Sequence, residues 1–205
     1  MQPPRAHSQS EACLYLKVAA CAACSQGPME LQGRPEAQPG PSGGPTTLGR
    51  LAARCAHCGA QREFVFVWPE APAGAGASDG PINPTSEPSE IIDAAQWLSL
   101  HYLLVESADR AADKGEKRRL ISQAAQCLEE ALRFYTEDDE LPPQSAFSAA
   151  SSRQAFAEHP EKFARQTLRD MRAKLPSVPP PPGRATSQAD RRWWQFWKRR
   201  PAAGQ

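Results

Sequence analysis

The apolar positions of this chain change period near its middle. Up to residue 68 they come in short runs: Leu14-Tyr-Leu-Lys-Val18, Pro28-Met-Glu-Leu31, Leu51-Ala-Ala-Arg54 and Glu63-Phe-Val-Phe-Val-Trp68. Such runs predict short strands. The last is rich in aromatic and β-branched residues and is stopped by Pro69. Beyond residue 84 the spacing turns helical. Ile91, Ala95, Leu98, Tyr102 and Val105 form one stripe, widened by Ala94, Trp97 and Leu104. Pro88, with Ser86 before it as a cap, is expected to open that helix, and Gly115 to stop it. Leu120, Ala124, Cys127, Leu128, Ala131 and Tyr135 make the next stripe, ended by the acidic stretch to Glu140 and by Pro142-Pro143. Ser148 is the expected cap of a short third helix through Phe156. Pro160 fits the first turn of a fourth, with Phe163, Leu168, Met171 and Leu175 inward. The fold class that follows is α+β, a small β unit followed by a three- or four-helix bundle.

Proline sets the boundaries. There are 21 prolines in 205 residues, about twice the usual frequency of roughly 5%. Pro35, Pro39, Pro41 and Pro45 mark a Gly/Pro-rich insertion over residues 33–49. Pro69, Pro72 and Pro81 mark a linker over 69–83, with Gly74 and Gly76 inside it. Pro179 to Pro182 stand in a row and predict an extended polyproline rod. The expected units are 12–68, the linker 69–83, a bundle over 84–176, and a proline-rich spacer with a disordered basic and aromatic tail over 177–205.

The formal net charge is +1, which argues against a uniformly basic nucleic-acid coat. Its distribution is uneven: residues 1–68 carry +2, residues 69–183 carry −6 and residues 184–205 carry +5. An acidic middle with a basic tail implies separate tasks. No apolar run approaches the roughly 20 residues of a membrane-spanning helix.

The chemistry lies in the cysteines. Cys21, Cys24, Cys55 and Cys58 form two C-x2-C pairs thirty residues apart. A two-residue gap lets one tight turn aim two thiolates at one ion, and two such turns supply the four sulfurs that Zn²⁺ accepts at about 2.3 Å. Cys21-Ala-Ala-Cys24 and Cys55-Ala-His-Cys58-Gly59, followed by the run Glu63 to Trp68, resemble the zinc-ribbon family. The resemblance covers a quarter to a third of the chain. It implies a structural zinc module within the first 68 residues, with no specific activity. Ser25 stands where that family often has Gly. The helical half resembles no characterised family.

The same cysteines have other possible uses. Disulfides need an oxidising compartment. A thioredoxin-like motif needs a βαβ setting. A covalent haem needs His after the second Cys, where Ser25 and Gly59 stand. Iron in a rubredoxin-like site takes the same four thiolates. Four cysteines leave a zinc ion no open position for catalysis, and His57 is read as a solvent or sulfur partner rather than a ligand. His101, His159, Cys13 and Cys127 are read as structural. Val18-Ala-Ala-Cys21 has the look of a lipoprotein cleavage site, but Lys17 interrupts its apolar stretch. A strand feeding a metal knuckle accounts better for the same residues. The expected compartment is the reducing cytoplasm, with peripheral membrane attachment through the tail.

That tail holds Arg191, Arg192, Trp193, Trp194, Phe196, Trp197, Lys198, Arg199 and Arg200. Indoles beside cations suit an anionic bilayer interface, and they also suit a protein partner. Fold-back onto the chain's own bundle is the bland alternative. The favoured function is a non-enzymatic zinc-binding adaptor or scaffold tethered by this tail. A nucleic-acid-binding ribbon and an accessory subunit of an enzyme are the rivals. Lys17, Arg50, Arg54, Arg62 and His57 around the knuckles support the former, and the charge distribution opposes it.

Overall fold

The computed structural model describes residues 2–40, 46–70, 81–136 and 138–176. Its first element corrects the sequence reading. Leu14 to Val18, expected as a strand, is the second half of helix α1, Gln9–Val18. Ser8 caps it, its hydroxyl accepting from Glu11 N at 3.0 Å. The alternation misled because α1 lies between two cores. Leu14 packs with the helical bundle, whereas Ala12 and Leu16 pack with the sheet. Positions two apart on a helix point about 200° apart, so a helix buried on both sides mimics a strand's alternation. Tyr15 and Ile91 touch both cores.

The sheet is antiparallel with four strands: β1 Met29–Leu31, β2 Glu36–Pro39, β3 Thr46–Cys55 and β4 Gln61–Pro69. β3 is its spine. Along one edge it pairs with β4 in register from Thr46↔Pro69 to Arg54↔Gln61. Along the other it meets β1, Met29 opposite Cys55, and then β2, Glu36 opposite Arg50. The expected insertion over 33–49 is thus not all loop. β2 is exposed throughout and held only by its backbone, so it carries no apolar signal, and an edge strand tolerates Pro39. The chain's start adds to the outer edge of β4. Ala6 N donates to Val67 O at 2.9 Å and Val67 N to Pro4 O at 3.0 Å. Leu51, Ala53, Phe64, Phe66 and Trp68 fill the inner face. Gly49 is required there, because a Cβ at 49 would sit 1.6 Å from the Trp68 indole.

The helices are α2 Ala94–Arg110, α3 Lys114–Leu132, α4 Ala150–Glu158 and α5 Arg165–Ala173. With α1 and the four strands they confirm an α+β fold. Trp97, Leu100, Ala124, Cys127 and Leu128 are fully buried between α2 and α3. Four boundaries differ from expectation. α2 starts at Ala94 behind a capping box of Asp93 and Gln96, not at Pro88. The preceding segment is tucked inward, with Ile82 and Ile92 buried. Gly115 stops nothing and lies in the first turn of α3, because Asp113 caps that helix by accepting from Glu116 N. Ser148 is not the cap of α4. That position is Ala149, and the Ser148 hydroxyl donates to Asp93 instead. Pro160 opens a 3-10 turn, Pro160–Phe163, and α5 begins after it.

Asp93 joins these pieces. Its Oδ1 accepts from Gln96 N and the Ser152 hydroxyl, and its Oδ2 from Ser148 N, Ser148 Oγ and Ala149 N, at 2.9–3.2 Å. One buried carboxylate thereby satisfies the exposed amides of two helix starts.

Candidate metal centre

Two turns of the same design carry the cysteines. The first leaves α1 and enters β1. The second joins β3 to β4. In the first, Cys21 N donates to Gln26 O at 2.6 Å and Ser25 N to Cys21 O at 2.8 Å. In the second, Cys55 N donates to Ala60 O at 2.8 Å and Gly59 N to Cys55 O at 2.9 Å. The fifth residue of each turn is left-handed, Ser25 at φ 58° and Gly59 at φ 76°. Ser25 therefore adopts the conformation that Gly59 supplies without strain. Ala56 N donates to Pro28 O at 3.0 Å and ties the two turns together.

All four Sγ atoms lie within 4.8 Å of one another. Cys21 is 3.6 Å from Cys58, and Cys24 is 3.8 Å from Cys55. These separations are far longer than the roughly 2.05 Å of a disulfide. They match the edge of about 3.8 Å of a tetrahedron with metal–sulfur bonds of about 2.3 Å. Cys21 and Cys55 are buried, Cys24 is half-buried and Cys58 is exposed. Backbone N–H groups of Ala23 and Cys24 point at the Cys21 sulfur and hold its pKa down to about 7. At Cys24 the Gln26 N–H favours the thiolate, but burial and the three neighbouring thiols outweigh it and push the pKa up to about 12. Four thiols in one cluster cannot all ionise without a cation among them. The donor set thus fits a soft or borderline ion in a closed tetrahedron. Such a site holds structure together and presents no position for a bound water.

The structure brings together all four cysteines read from the spacing. His57 is exposed beside them and is not part of the cluster. Cys13 lies in α1, half-buried, and burial pushes its thiol pKa up. Cys127 is fully buried, with its thiol pushed up in the same way. His101 is buried with Nδ1 3.1 Å from Ala124 O, and burial lowers its pKa. The tail residues Arg191, Arg192, Trp193, Trp194, Phe196, Trp197, Lys198, Arg199 and Arg200 lie outside the described residues, as do Pro179 to Pro182, for which a polyproline rod is expected. Sequence reasoning missed the buried polar residues His7, Glu11, Asn83, Asp93 and Glu130. Ser8-Gln-Ser-Glu11 and Asp93-Ala-Ala-Gln96 were legible as capping patterns. The other three had no local signal.

No protein-family model, curated protein or solved structure matches the chain. Fold and site define an α+β protein whose four cysteines can hold a metal ion. Among the described residues no helix is long and apolar enough to cross a membrane.

Proposed function

We propose that this chain is a non-enzymatic adaptor of zinc-ribbon type. Cys21, Cys24, Cys55 and Cys58 hold one structural Zn²⁺, and the C-terminal Trp/Arg segment tethers the protein to an anionic membrane surface. The observation that carries the zinc reading is the closed set of four sulfurs spaced for a tetrahedral ion. Zinc suits four thiolates with no redox chemistry attached. The tether rests on composition alone: three indoles among five cations over residues 191–200. Each cation adds about 1 kcal/mol of attraction to an anionic leaflet, and the indoles add burial at headgroup depth.

The test uses the full chain and a version ending at residue 183. The full chain is expected to sediment with phosphatidylserine vesicles at low salt, with a blue shift in tryptophan fluorescence, and the shortened chain to stay in solution. Equal recovery of both, or no recovery of either, contradicts the membrane tether and favours a protein partner for the tail.

A further inference from the structure

The four cysteines of the metal centre are not equivalent. Cys21 and Cys55 are 4% and 2% exposed, Cys24 is half-buried and Cys58 is exposed. Cys58 lies in the turn between β3 and β4, preceded by the exposed Ala56 and His57. Two short sulfur–sulfur approaches run between the turns. Cys21 of the first turn is 3.6 Å from Cys58 of the second, and Cys24 is 3.8 Å from Cys55. The hydrogen bond from Ala56 N to Pro28 O, 3.0 Å long, holds the two turns side by side. Outside the cluster, Cys13 is half-buried on α1 and Cys127 is buried on α3.

Oxidation of a cysteine follows its thiolate character and its exposure, and a neighbouring thiol resolves the first product. Cysteines that hold a metal ion are all thiolates. Within the centre, exposure therefore separates them, and it singles out Cys58. The short approach across the turns then singles out Cys21 as the sulfur that meets it.

We propose that Cys58 is an oxidation site for hydroperoxides and that Cys21 is its resolving partner, so that an oxidant replaces the ion with a disulfide across the two turns. This rests on the zinc reading of the centre and gives that centre a second state.

With hydrogen peroxide the step runs in two parts. The Cys58 sulfur attacks one peroxide oxygen. The S–O bond forms, the O–O bond breaks and hydroxide leaves, which makes Cys58 a sulfenic acid. The Cys21 thiolate then attacks that sulfur. The S–S bond forms, the S–O bond breaks and a second hydroxide leaves. Two electrons pass from the sulfurs to the peroxide, and two protons from solvent convert both hydroxides to water. The sulfurs close from 3.6 Å to about 2.05 Å. Cys24 and Cys55 remain, and two thiolates do not complete a structural tetrahedron. The new bond joins turns that Ala56 and Pro28 already tie together, so it takes over the constraint on the sheet. A disulfide within either turn would leave the two turns unlinked.

The test treats the zinc-loaded full chain with hydrogen peroxide beside a chromogenic zinc chelator. About one zinc is expected to be released per disulfide formed. Peptide mapping after alkylation in denaturant is expected to show Cys21 joined to Cys58, with Cys13, Cys24, Cys55 and Cys127 alkylated. Dimedone present during the reaction is expected to trap the sulfenic acid on Cys58. Dithiothreitol with added zinc is expected to restore the starting state. Cys58→His keeps a metal ligand and removes the attacked sulfur. It is expected to lose peroxide-driven release over the time in which the parent chain is emptied. If that variant does not fold, the dimedone adduct on the parent chain decides. Zinc retained by the oxidised parent overturns the proposal. So does a first disulfide within either turn, or a dimedone adduct on another cysteine. A chain without zinc before peroxide is added fails the zinc reading, and this proposal with it.

Discussion

The sheet and the bundle solve the same problem with different means. The bundle surrounds Trp97, Leu100 and Leu128 with complete burial, and its helix starts converge on the Asp93 carboxylate. The sheet presents one apolar face and leaves the other to solvent, along β3 and β4. Its buried set relies on Ala53, Ala12 and Ala19 as much as on Phe66 and Trp68. A sheet with one thin core needs a further constraint, and the cysteine turns sit at the end where β1, β3 and β4 converge. An ion held by those turns would be a condition of folding for the sheet, whereas the bundle has an apolar core of its own.

Breaking the metal centre should separate the two regions most sharply. Cys55→Ser, or removal of the ion by a chelator, is expected to unfold the sheet, since apparent binding energies of structural zinc reach roughly 10–16 kcal/mol. The far-UV helical signal of α2 and α3 is expected to survive, while the near-UV signal of Phe64, Phe66 and Trp68 in the sheet core collapses. Loss of both signals together would show one shared folding unit.

The converse experiment targets Asp93. Asp93→Ala removes a cap and leaves the amides of Ser148 and Ala149 without their acceptor. It is expected to destabilise the bundle by about 3 kcal/mol, measured by urea denaturation followed at 222 nm, with metal content unchanged. A loss below about 1 kcal/mol would reduce Asp93 to an ordinary cap.

Smaller effects sharpen the account of the sheet. Gly49→Ala forces a methyl into the Trp68 ring, and overpacking of this kind costs about 1–3 kcal/mol. A blue or red shift of Trp68 emission together with a lower melting temperature would report it. Ser25→Gly is expected to act the other way. It relieves a left-handed serine at φ 58° and should raise the temperature of metal-dependent unfolding by an amount equivalent to about 1 kcal/mol. Gly59→Ala, its counterpart in the second turn, should lower it.

Much of this was legible in the sequence, for physical reasons that can be named. The four cysteines were legible because the spacing of a metal turn is set by ligand geometry and needs no knowledge of the rest of the chain. The stripes of α2 and α3 were legible because each buries one continuous face. What misled was context. Leu14 and Leu16 alternate because α1 is held between two cores, which no local pattern reveals. β2 carries no signal because only its backbone takes part. Gly115 suggests a stop, although the Asp113 cap two residues before it governs that position. Glu11 and Glu130 are charged residues that composition places on the surface, and only the meeting of three distant segments buries them.

The central claim is that the four cysteines together hold one zinc ion. Elemental analysis of the full chain, purified anaerobically beside Cys24→Ser, tests it most directly. The expected result is about one zinc per chain in the parent and far less in the variant. A parent chain without metal, a chain carrying iron, or a variant with the same zinc content would contradict the account.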